Sequence, residues 1–429
     1  MTGCLHEPPQ SRQQRNRPWL VAWAMLLTAI AAPTAQSPTS VPATRDGLLR
    51  EPGVIGRAID IGTRVASSGD GGEVKNGPYP ELGDMVTGAG WISGGPGYRH
   101  WLFEDRVFVD ASAAVSWRAY KMTQARIELP TLAHSRVAAG AQFRWQDLTQ
   151  VSYFGEGPES LETNRSEYRL RSANIVGYSV YRPVQWVAID GRIGWLTSPA
   201  IDEPAGTFTR GHPATSELFA DDPVFALVEQ PAYIHGEAAI TADTRDQKGY
   251  PTAGGLYRAS LSRYSDRTAD QFTFARYELE GARFVPWRAA HTVFALHGWL
   301  VGTSTGTAQQ VPFYLLPGLG GANTLRSYID YRFHDRALVV VNAEARVALF
   351  THLDAALFLD AGNVAPRVAD LNLDRTSYGV GLRLHARRAT FARVDIAHGD
   401  EGWRFLFRVN DPFRFNRLSR RTAAVPFVP

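Results

Sequence analysis

Apolar and polar residues alternate along several stretches of the chain, each about ten residues long or longer. In residues 106–120 (RVFVDASAAVSWRAY), the odd-numbered positions from Val107 to Ala119 are all apolar, whereas the even-numbered positions include Asp110 and Arg118. The same two-residue period recurs in three further stretches, 134–146, 337–350 and 379–388. Because successive side chains of a strand point to opposite faces, these stretches predict β-strands with one apolar and one polar face.

Two β architectures fit this alternation, a soluble sandwich and a transmembrane barrel. Sandwich strands are usually about five or six residues long, and their buried face is rich in Leu, Ile and Val. The strands of this chain are longer, and their polar faces carry Arg, Glu, Gln and Asp at successive positions, which suits a hydrated barrel lumen. Aromatic residues such as Trp117 and Tyr178 fall near strand ends, as in an interfacial girdle. The pattern therefore favours an all-β fold, a transmembrane antiparallel β-barrel.

The alternating stretches number sixteen, and bacterial barrels have an even number of strands. The candidate strands are 55–66, 88–103, 106–119, 120–130, 134–146, 165–181, 183–197, 231–243, 255–264, 271–286, 289–302, 336–350, 352–362, 376–387, 390–399 and 402–413. The long connections at 198–230 and 303–335 are expected to be extracellular, since short turns face the periplasm in such barrels.

The first 35 residues have the pattern of a signal peptide that is removed on export. Three arginines precede an apolar run at 19–32, which is shorter than the ~20 residues of a membrane-spanning helix. A membrane anchor that is retained is the alternative. The sole cysteine, Cys4, lies ahead of this run, so the exported chain is expected to have no disulfide. The expected organisation is a signal peptide at 1–35, a short periplasmic tail or plug at 36–54, the outer-membrane barrel at 55–413 and a C-terminal extension at 414–429.

Composition and motifs give no basis for an enzyme. The chain carries 45 Lys and Arg against 42 Asp and Glu, a formal net charge of +3, so no global field predicts nucleic-acid binding. We find no hydrolase, zinc-protease or nucleotide-binding motif, and the eleven histidines lack metal-ligand spacing. The sequence predicts no catalytic residues, no metal and no cofactor. A catalytic site assembled from distant strands is the alternative, because such sites are defined by geometry.

A resemblance to a known family is carried by two segments. Residues 313–335 (FYLLPGLGGANTLRSYIDYRFHD) and 358–362 (FLDAG) resemble the bacterial surface-antigen family of outer-membrane barrels, whose members include BamA, TamA and the two-partner secretion translocators. The first segment matches the extracellular loop that, in this family, folds back into the barrel and carries a Val/Leu-Arg-Gly-Phe/Tyr tetrad. Leu325, Arg326, Ser327 and Tyr328 occupy that tetrad, with serine in place of glycine. Residues 243–264 resemble the family's segment at a periplasmic turn.

The resemblance implies that Arg326 pairs with Asp360 inside the lumen. Alternation places Phe358, Asp360 and Gly362 on one face of their strand, and Glu344 on the preceding strand is a second possible partner. A carboxylate offers a buried arginine a bidentate ion pair. The loop glycines, Gly318, Gly320 and Gly321, would let the backbone turn and approach the barrel wall. A phosphate-binding glycine loop is a poor alternative, because no buried strand precedes these glycines and no helix follows them.

The resemblance also implies a function. It indicates the assembly and insertion of outer-membrane proteins, or the translocation of a polypeptide, without covalent catalysis. The expected partners are outer-membrane lipid and a client, either an outer-membrane protein or a secreted polypeptide, with no nucleic acid. A passive pore or a structural surface protein is the alternative, and the sequence does not indicate an oligomeric state. The family's periplasmic repeat domains have no counterpart before residue 55.

Overall fold

The structure, a computed structural model, describes residues 47–57, 59, 76–83, 93–206, 211–247, 249–287, 291–386 and 389–408. The expected signal peptide at 1–35 and the expected C-terminal extension at 414–429 lie outside these residues. Within the described part of the chain, no helix is both long enough and apolar enough to span a membrane.

Nineteen strands account for most of the described residues. They are β1 (Gly77–Gly83), β2 (Ser93–Leu102), β3 (Val107–Ser116), β4 (Lys121–Thr131), β5 (Val137–Tyr153), β6 (Ser166–Val184), β7 (Val187–Leu196), β8 (Ala200–Asp202), β9 (Tyr233–Asp243), β10 (Gly254–Asp266), β11 (Phe274–Trp287), β12 (Thr292–Thr305), β13 (Gly318–Leu319), β14 (Phe333–His334), β15 (Ala337–Phe350), β16 (Leu353–Ala365), β17 (Arg375–Ala386), β18 (Ala389–Gly399) and β19 (Gly402–Arg408). The helical elements are four-residue turns at Leu132–Ser135 and Thr215–Leu218 and 3₁₀ turns at Glu162–Asn164, Pro223–Ala226, Phe313–Leu315 and Val368–Asp370.

Seventeen of these strands form one sheet in which neighbours along the chain pair antiparallel. Sixteen follow one another from β1 to β19, and β8 adds three residues beside the start of β6. The remaining two, β13 and β14, pair with each other inside the loop that joins β12 to β15. The strand count of the main series is therefore the one predicted from the alternation.

The position of the first strand was predicted wrongly. Residues 53–57 and 59, at the start of the predicted strand 55–66, are helical, and the first described strand is β1, at Gly77–Gly83. Ile55 and Ile59 are four residues apart, which places them on one face of a helix as well as on one face of a strand. Ile59 is buried. In the sequence of β1 (GPYPELG), two prolines interrupt the alternation of apolar and polar residues that identifies a strand.

The two faces of the sheet have opposite chemistry. Apolar side chains are exposed on the outer face, among them Ile127, Phe143, Ile175, Ile193, Ile240, Leu261, Leu357, Leu359, Val380 and Phe405. Charged side chains are buried on the inner face, among them Arg144, Asp190, Arg258, Glu344, Arg383 and Asp395. A soluble protein has the reverse arrangement, whereas a barrel in lipid presents apolar residues outward and polar residues to its lumen.

The connections differ in length at the two ends of the strands. At one end lie the longer loops, 154–165, 197–232 and 306–336. At the other end, 103–106, 185–186 and 351–352 are tight turns. Since periplasmic turns are short and extracellular loops are long in outer-membrane barrels, the long-loop end is the extracellular one.

Three inward-facing side chains cross a glycine on the neighbouring strand and reach a polar group one strand further. The hydroxyl of Tyr79 on β1 passes over Gly97 and donates to Asp110 Oδ1 at 2.6 Å. The other two sets are Tyr178, Gly140 and Glu128, and His235, Gly194 and Asn174. A Cβ built on Gly97 would lie 2.3 Å from Tyr79 Cζ, so the crossing requires glycine at this position.

Candidate functional site in the barrel lumen

The loop at 306–336 leaves the extracellular end of β12 and packs inside the barrel. Leu325, Arg326, Ser327 and Tyr328 are all buried. The loop turns sharply at Gly320 (φ +118°) and at the glycine after it (φ +98°), a backbone conformation that residues with a Cβ rarely adopt. Two of the predicted loop glycines, Gly320 and Gly321, are therefore at positive φ. The third, Gly318, packs closely instead, because a Cβ there would lie 3.0 Å from the ring of Tyr331.

Arg326 and Asp360 are brought together in the lumen. Nε of Arg326 donates to Asp360 Oδ2 at 2.9 Å, and Nη2 donates to Oδ1 at 2.8 Å, so the contact is bidentate. The guanidinium also lies 3.5 Å from the ring centre of Phe358. Asn342 Nδ2 donates to Asp360 Oδ1 at 2.8 Å and to the loop carbonyl of Thr324. Both charged groups are almost completely buried, so their mutual hydrogen bonds replace water.

Glu344 on β15 connects Arg326 to two further arginines. Its Oε2 accepts from Arg326 Nη1 at 2.8 Å and from Arg383 Nη2 at 2.9 Å, and its Oε1 accepts from Arg346 Nε at 2.8 Å. Asp395 on β18 extends the network, since it lies 2.6 Å from Arg383 Nη1. The second possible partner of Arg326 in the sequence prediction thus lies in contact with it and bridges it to two further arginines.

We call this group the lumen cluster and define it by seven residues: Arg326, Arg346, Arg383, Arg393, Glu344, Asp360 and Asp395. Arg393 donates to Asp395 Oδ2 at 3.3 Å and to the loop carbonyl of Ala322 at 2.8 Å. The cluster has four guanidinium groups and three carboxylates, a formal charge of +1. A network with nearly balanced charge and many hydrogen bonds reduces the cost of burying each ion.

Ser327 and Tyr328 contact the last strands of the barrel. The backbone N–H of Ser327 donates to Ser377 Oγ at 2.9 Å, and the hydroxyl of Tyr328 donates to Asp400 Oδ2 at 2.9 Å. Ser327 Oγ would lie 2.2 Å from a Cβ built on Gly399. The glycine on β18 therefore makes room for a serine where the family tetrad has glycine.

The two remaining predicted positions have structural surroundings. Leu325 is buried in an apolar cluster that includes Leu319, Val340 and Val364. Gly362 on β16 faces β15, where a Cβ would lie 2.5 Å from the carbonyl oxygen of Val339. The contacts of Leu325 fit the loop to the barrel wall, the close approach at Gly362 joins two strands of the wall, and neither residue takes part in the ion pairs.

A second loop enters the lumen from the periplasmic end. It joins β9 to β10 at 244–253, within the segment predicted to form a periplasmic turn. Tyr250 is buried, its hydroxyl donates to Asp354 Oδ2, and its ring stacks on His385 with centroids 3.7 Å apart. The guanidinium of Arg346 lies 5.1 Å from the Tyr250 ring centre. Arg346 therefore contacts both the second loop and the lumen cluster.

Sequence reasoning did not identify Arg346, Arg383, Arg393, Asp395 or Tyr250 as site residues. The signal was present in part, because Arg346 and Arg383 occupy polar-face positions of alternating strands. Which polar-face residues meet depends on strand register, and the register of β15 with β16 pairs Asn342 with Asp360.

On the extracellular side, the loop at 306–336, which we call the lumen loop, packs against the loop at 154–165. The backbone N–H of Gly157 donates to the carbonyl of His334 at 2.8 Å, and Arg332 donates to the carbonyl of Ser160 at 2.7 Å. Arg332 Nε also donates to Glu401 at 2.6 Å. His334 is buried, and this burial lowers the pKa of its imidazole to about 4.

A long antiparallel sheet with an apolar outer face, a charged lumen and an inserted extracellular loop defines an outer-membrane β-barrel. Residues 233–409, from β9 to the last strand, match the Omp85 superfamily domain. This match and the structural likenesses below confirm the predicted fold class and the predicted resemblance to BamA- and TamA-like barrels and two-partner secretion translocators.

Two solved structures show how far the likeness extends. The crystal structure of BamA from Haemophilus ducreyi lacking POTRA domains 1–3 matches with a TM-score of 0.58 and 13% identity, over 78% of this chain and 70% of that one. CdiB from Escherichia coli matches with a TM-score of 0.50 and 11% identity, over 78% of this chain and 61% of that one. No curated protein sequence matches the chain. At these identities the structural likeness concerns the fold.

Proposed function

We propose that this protein handles other polypeptides in the bacterial outer membrane, by inserting client barrels or by passing a polypeptide across, without covalent catalysis. The Omp85 superfamily domain supports this proposal. The observation that carries it is the sequence of β1, the first described strand, in which two of the seven residues are prolines.

β1 has few hydrogen-bond donors. Two of its seven residues are Pro78 and Pro80, and Pro80 lies opposite Pro96 of β2. Proline has no backbone N–H, and within sheets it is found at edges. Among the described residues, ladders pair β1 with β2 and β19 with β18, whereas no ladder joins β1 to β19. Proline protects an edge against pairing, so these prolines leave the seam beside β1 weakly held, and a weakly held seam can open to an incoming strand.

The passive pore is the weaker candidate. The lumen loop and the loop at 244–253 enter the barrel from opposite ends, and both contact Arg346 or its partner Glu344. Steady conduction would require both loops to leave the lumen.

The test is client insertion into liposomes. A urea-denatured eight-stranded barrel protein is added to vesicles that contain this protein, and its folded, heat-resistant band is followed on a gel with time. We expect faster client folding than in protein-free vesicles. The variant Pro80→Val is expected to slow it, because valine adds a backbone N–H on the side of β1 that faces away from β2, where this donor strengthens the seam that a client must open. The matched control is Pro183→Val on β6, far from this edge.

Two results would contradict the proposal. Client folding at the rate of protein-free vesicles, for a refolded wild-type protein, rules out insertion activity. Equal effects of Pro80→Val and Pro183→Val show that β1 has no special role. A translocation activity is distinguished by protection of an unfolded polypeptide inside the vesicles, and a pore by single-channel currents in the absence of a client.

A further inference from the structure

A short segment at residues 47–51, which we call the N-terminal latch, lies against the periplasmic end of β15. The backbone N–H of Leu48 donates to the carbonyl of Ala348 at 3.0 Å. The next N–H along the chain, that of Leu49, donates to the carbonyl of Leu349 at 2.9 Å. The latch is thus bonded to a barrel strand through its backbone.

The end of β15 can bond the latch because it extends beyond the ladder with β12. That ladder ends where Val347 pairs with Thr292. On the other side of β15, the pairing with β16 shifts register between Ala348 and Phe350. Such an irregularity turns the backbone locally, so consecutive carbonyls can face one segment, whereas in a regular strand they point to opposite sides. A Cβ built on Gly47 would lie 2.3 Å from Phe350 Cα, so the close approach of the latch requires glycine there.

Glu51 fastens the latch to the turn that follows β15. Its carboxylate accepts a hydrogen bond from the backbone N–H of His352 at 2.9 Å and also lies 2.9 Å from His352 Nδ1. Leu48 and Leu49, by contrast, are 62% and 58% exposed, so they bury little apolar surface. Backbone hydrogen bonds and one acidic side chain therefore hold the latch. Each such contact contributes modestly to stability, so the latch can detach while the barrel stays folded.

The same turn supports the loop that enters the lumen from the periplasm. The carbonyl of His352 accepts a hydrogen bond from the backbone N–H of His385 on β17 at 3.0 Å. His385 Nε2 lies 3.2 Å from Asp354 Oδ1, and the imidazole stacks on the ring of Tyr250. Asp354 in turn accepts a hydrogen bond from the Tyr250 hydroxyl. A continuous path of contacts therefore joins Glu51 of the latch to Tyr250 of the periplasmic loop.

We propose that the N-terminal latch holds the periplasmic entrance of the lumen in its closed arrangement. While Glu51 is bound to His352, the turn after β15 is fixed, and the contacts of Tyr250 keep the loop at 244–253 inside the lumen. When the latch detaches, the turn loses this anchor and the loop opens more often. The N-terminal segment thus regulates access to the lumen from the periplasm, and this regulation does not depend on what the protein handles.

The experiment is hydrogen exchange followed by mass spectrometry on the full chain, refolded in detergent. The signal is the exchange rate of the backbone amides at 244–253. Two test variants release the latch in different ways and leave that loop unchanged: Glu51→Ala removes the carboxylate, and Gly47→Val places a side chain against β15. The matched controls are Gly53→Val, where a Cβ meets nothing within 4 Å, and Glu104→Ala on the turn between β2 and β3. Heat-modifiable gel mobility verifies that each variant has folded.

We expect the loop amides to exchange about tenfold faster in Glu51→Ala and in Gly47→Val than in wild type, since a hydrogen bond to a charged group contributes about this factor. Gly53→Val and Glu104→Ala should exchange as wild type does, and the amides of β5 and β6 should keep their wild-type rates in every variant. Unchanged loop exchange in both latch variants would overturn the proposal. Equal acceleration by Gly53→Val would do the same, as would faster exchange throughout the barrel, because the change would then report a general loss of stability.

Discussion

The contact between Arg326 and Asp360 gives the most direct test of how the lumen loop is held. We consider three variants, Arg326→Ala, Asp360→Ala and the double substitution. Arg326→Ala leaves Asp360 buried with Asn342 as a hydrogen-bond donor, and Asp360→Ala leaves Arg326 with Glu344. Breaking one partner of a buried ion pair costs about 3–5 kcal/mol, because a charge remains without its counter-charge.

Each single variant changes the formal charge of the lumen cluster, whereas the double variant restores it. The cluster has four arginines and three carboxylates, so its charge is +1; removing Arg326 gives 0, removing Asp360 gives +2, and removing both restores +1. The double variant has neither buried charge of the pair. We therefore expect its free energy of unfolding to be no lower than that of the worse single variant, with a coupling energy of about 3 kcal/mol or more.

The assay is urea unfolding in detergent, followed by the heat-modifiable gel band, with trypsin digestion as a separate report on the loop. Trypsin should cut the single variants at Arg332 or Arg336 while the barrel is still folded. The control is Arg258→Ala, which breaks a buried pair with Asp190 outside the lumen cluster. It should destabilise the barrel and leave the loop protected.

The expected coupling is refuted if the effects of Arg326→Ala and Asp360→Ala simply add in the double variant. Additive effects would mean that the two residues do not act as one unit, despite their 2.8 Å contact. The role of this contact in holding the loop is refuted if trypsin cuts the loop of Arg258→Ala as readily as that of Arg326→Ala.

Two further predictions concern other contacts. The imidazole of His334 is buried with a pKa of about 4, below its unfolded value of about 6.5. The unfolded state therefore binds more protons between these pH values, so the stability of the folded protein is complete above pH 6.5 and falls as the pH falls towards 4. Urea unfolding should lose up to about 3 kcal/mol over this range in wild type and less in His334→Gln, and equal losses would contradict the assignment. Tyr79→Phe leaves Asp110 without the hydroxyl, and we expect a loss of about 1–3 kcal/mol. The control, Tyr98→Phe at the exposed outer face, should change unfolding little, and an equal effect of both would refute the role of the crossing.

Much of the fold could be predicted from alternation alone. Strands such as β3 and β15 keep one apolar face over ten or more residues, and this face points outward while the opposite face is buried in the lumen. The prediction was wrong at β1, because proline and glycine determine its sequence and because Ile55 and Ile59 fit a helix equally well.

Only those residues of the candidate site that lie in the family motifs, or on the strands beside them, could be predicted. Arg326, Asp360 and Glu344 were identified from the resemblance and from strand faces. Asp395 lies on β18, which pairs with β17 rather than with the strands of the motif. Its contact with Arg383 depends on the register of two hairpins and on the room left by Gly381, none of which is encoded in local sequence spacing.

The placement of Arg346 gives the two ends of the barrel a shared contact through which they can be thermodynamically linked. It donates to Glu344, which also binds Arg326 of the extracellular loop, and it lies against Tyr250 of the periplasmic loop. If displacement of one loop changes the free energy of Arg346, the same increment applies when the other loop is displaced first, since linkage is reciprocal. Under that condition, any molecule that displaces the periplasmic loop would alter the population of the extracellular loop, and one that displaces the extracellular loop would alter the periplasmic loop by an equal factor.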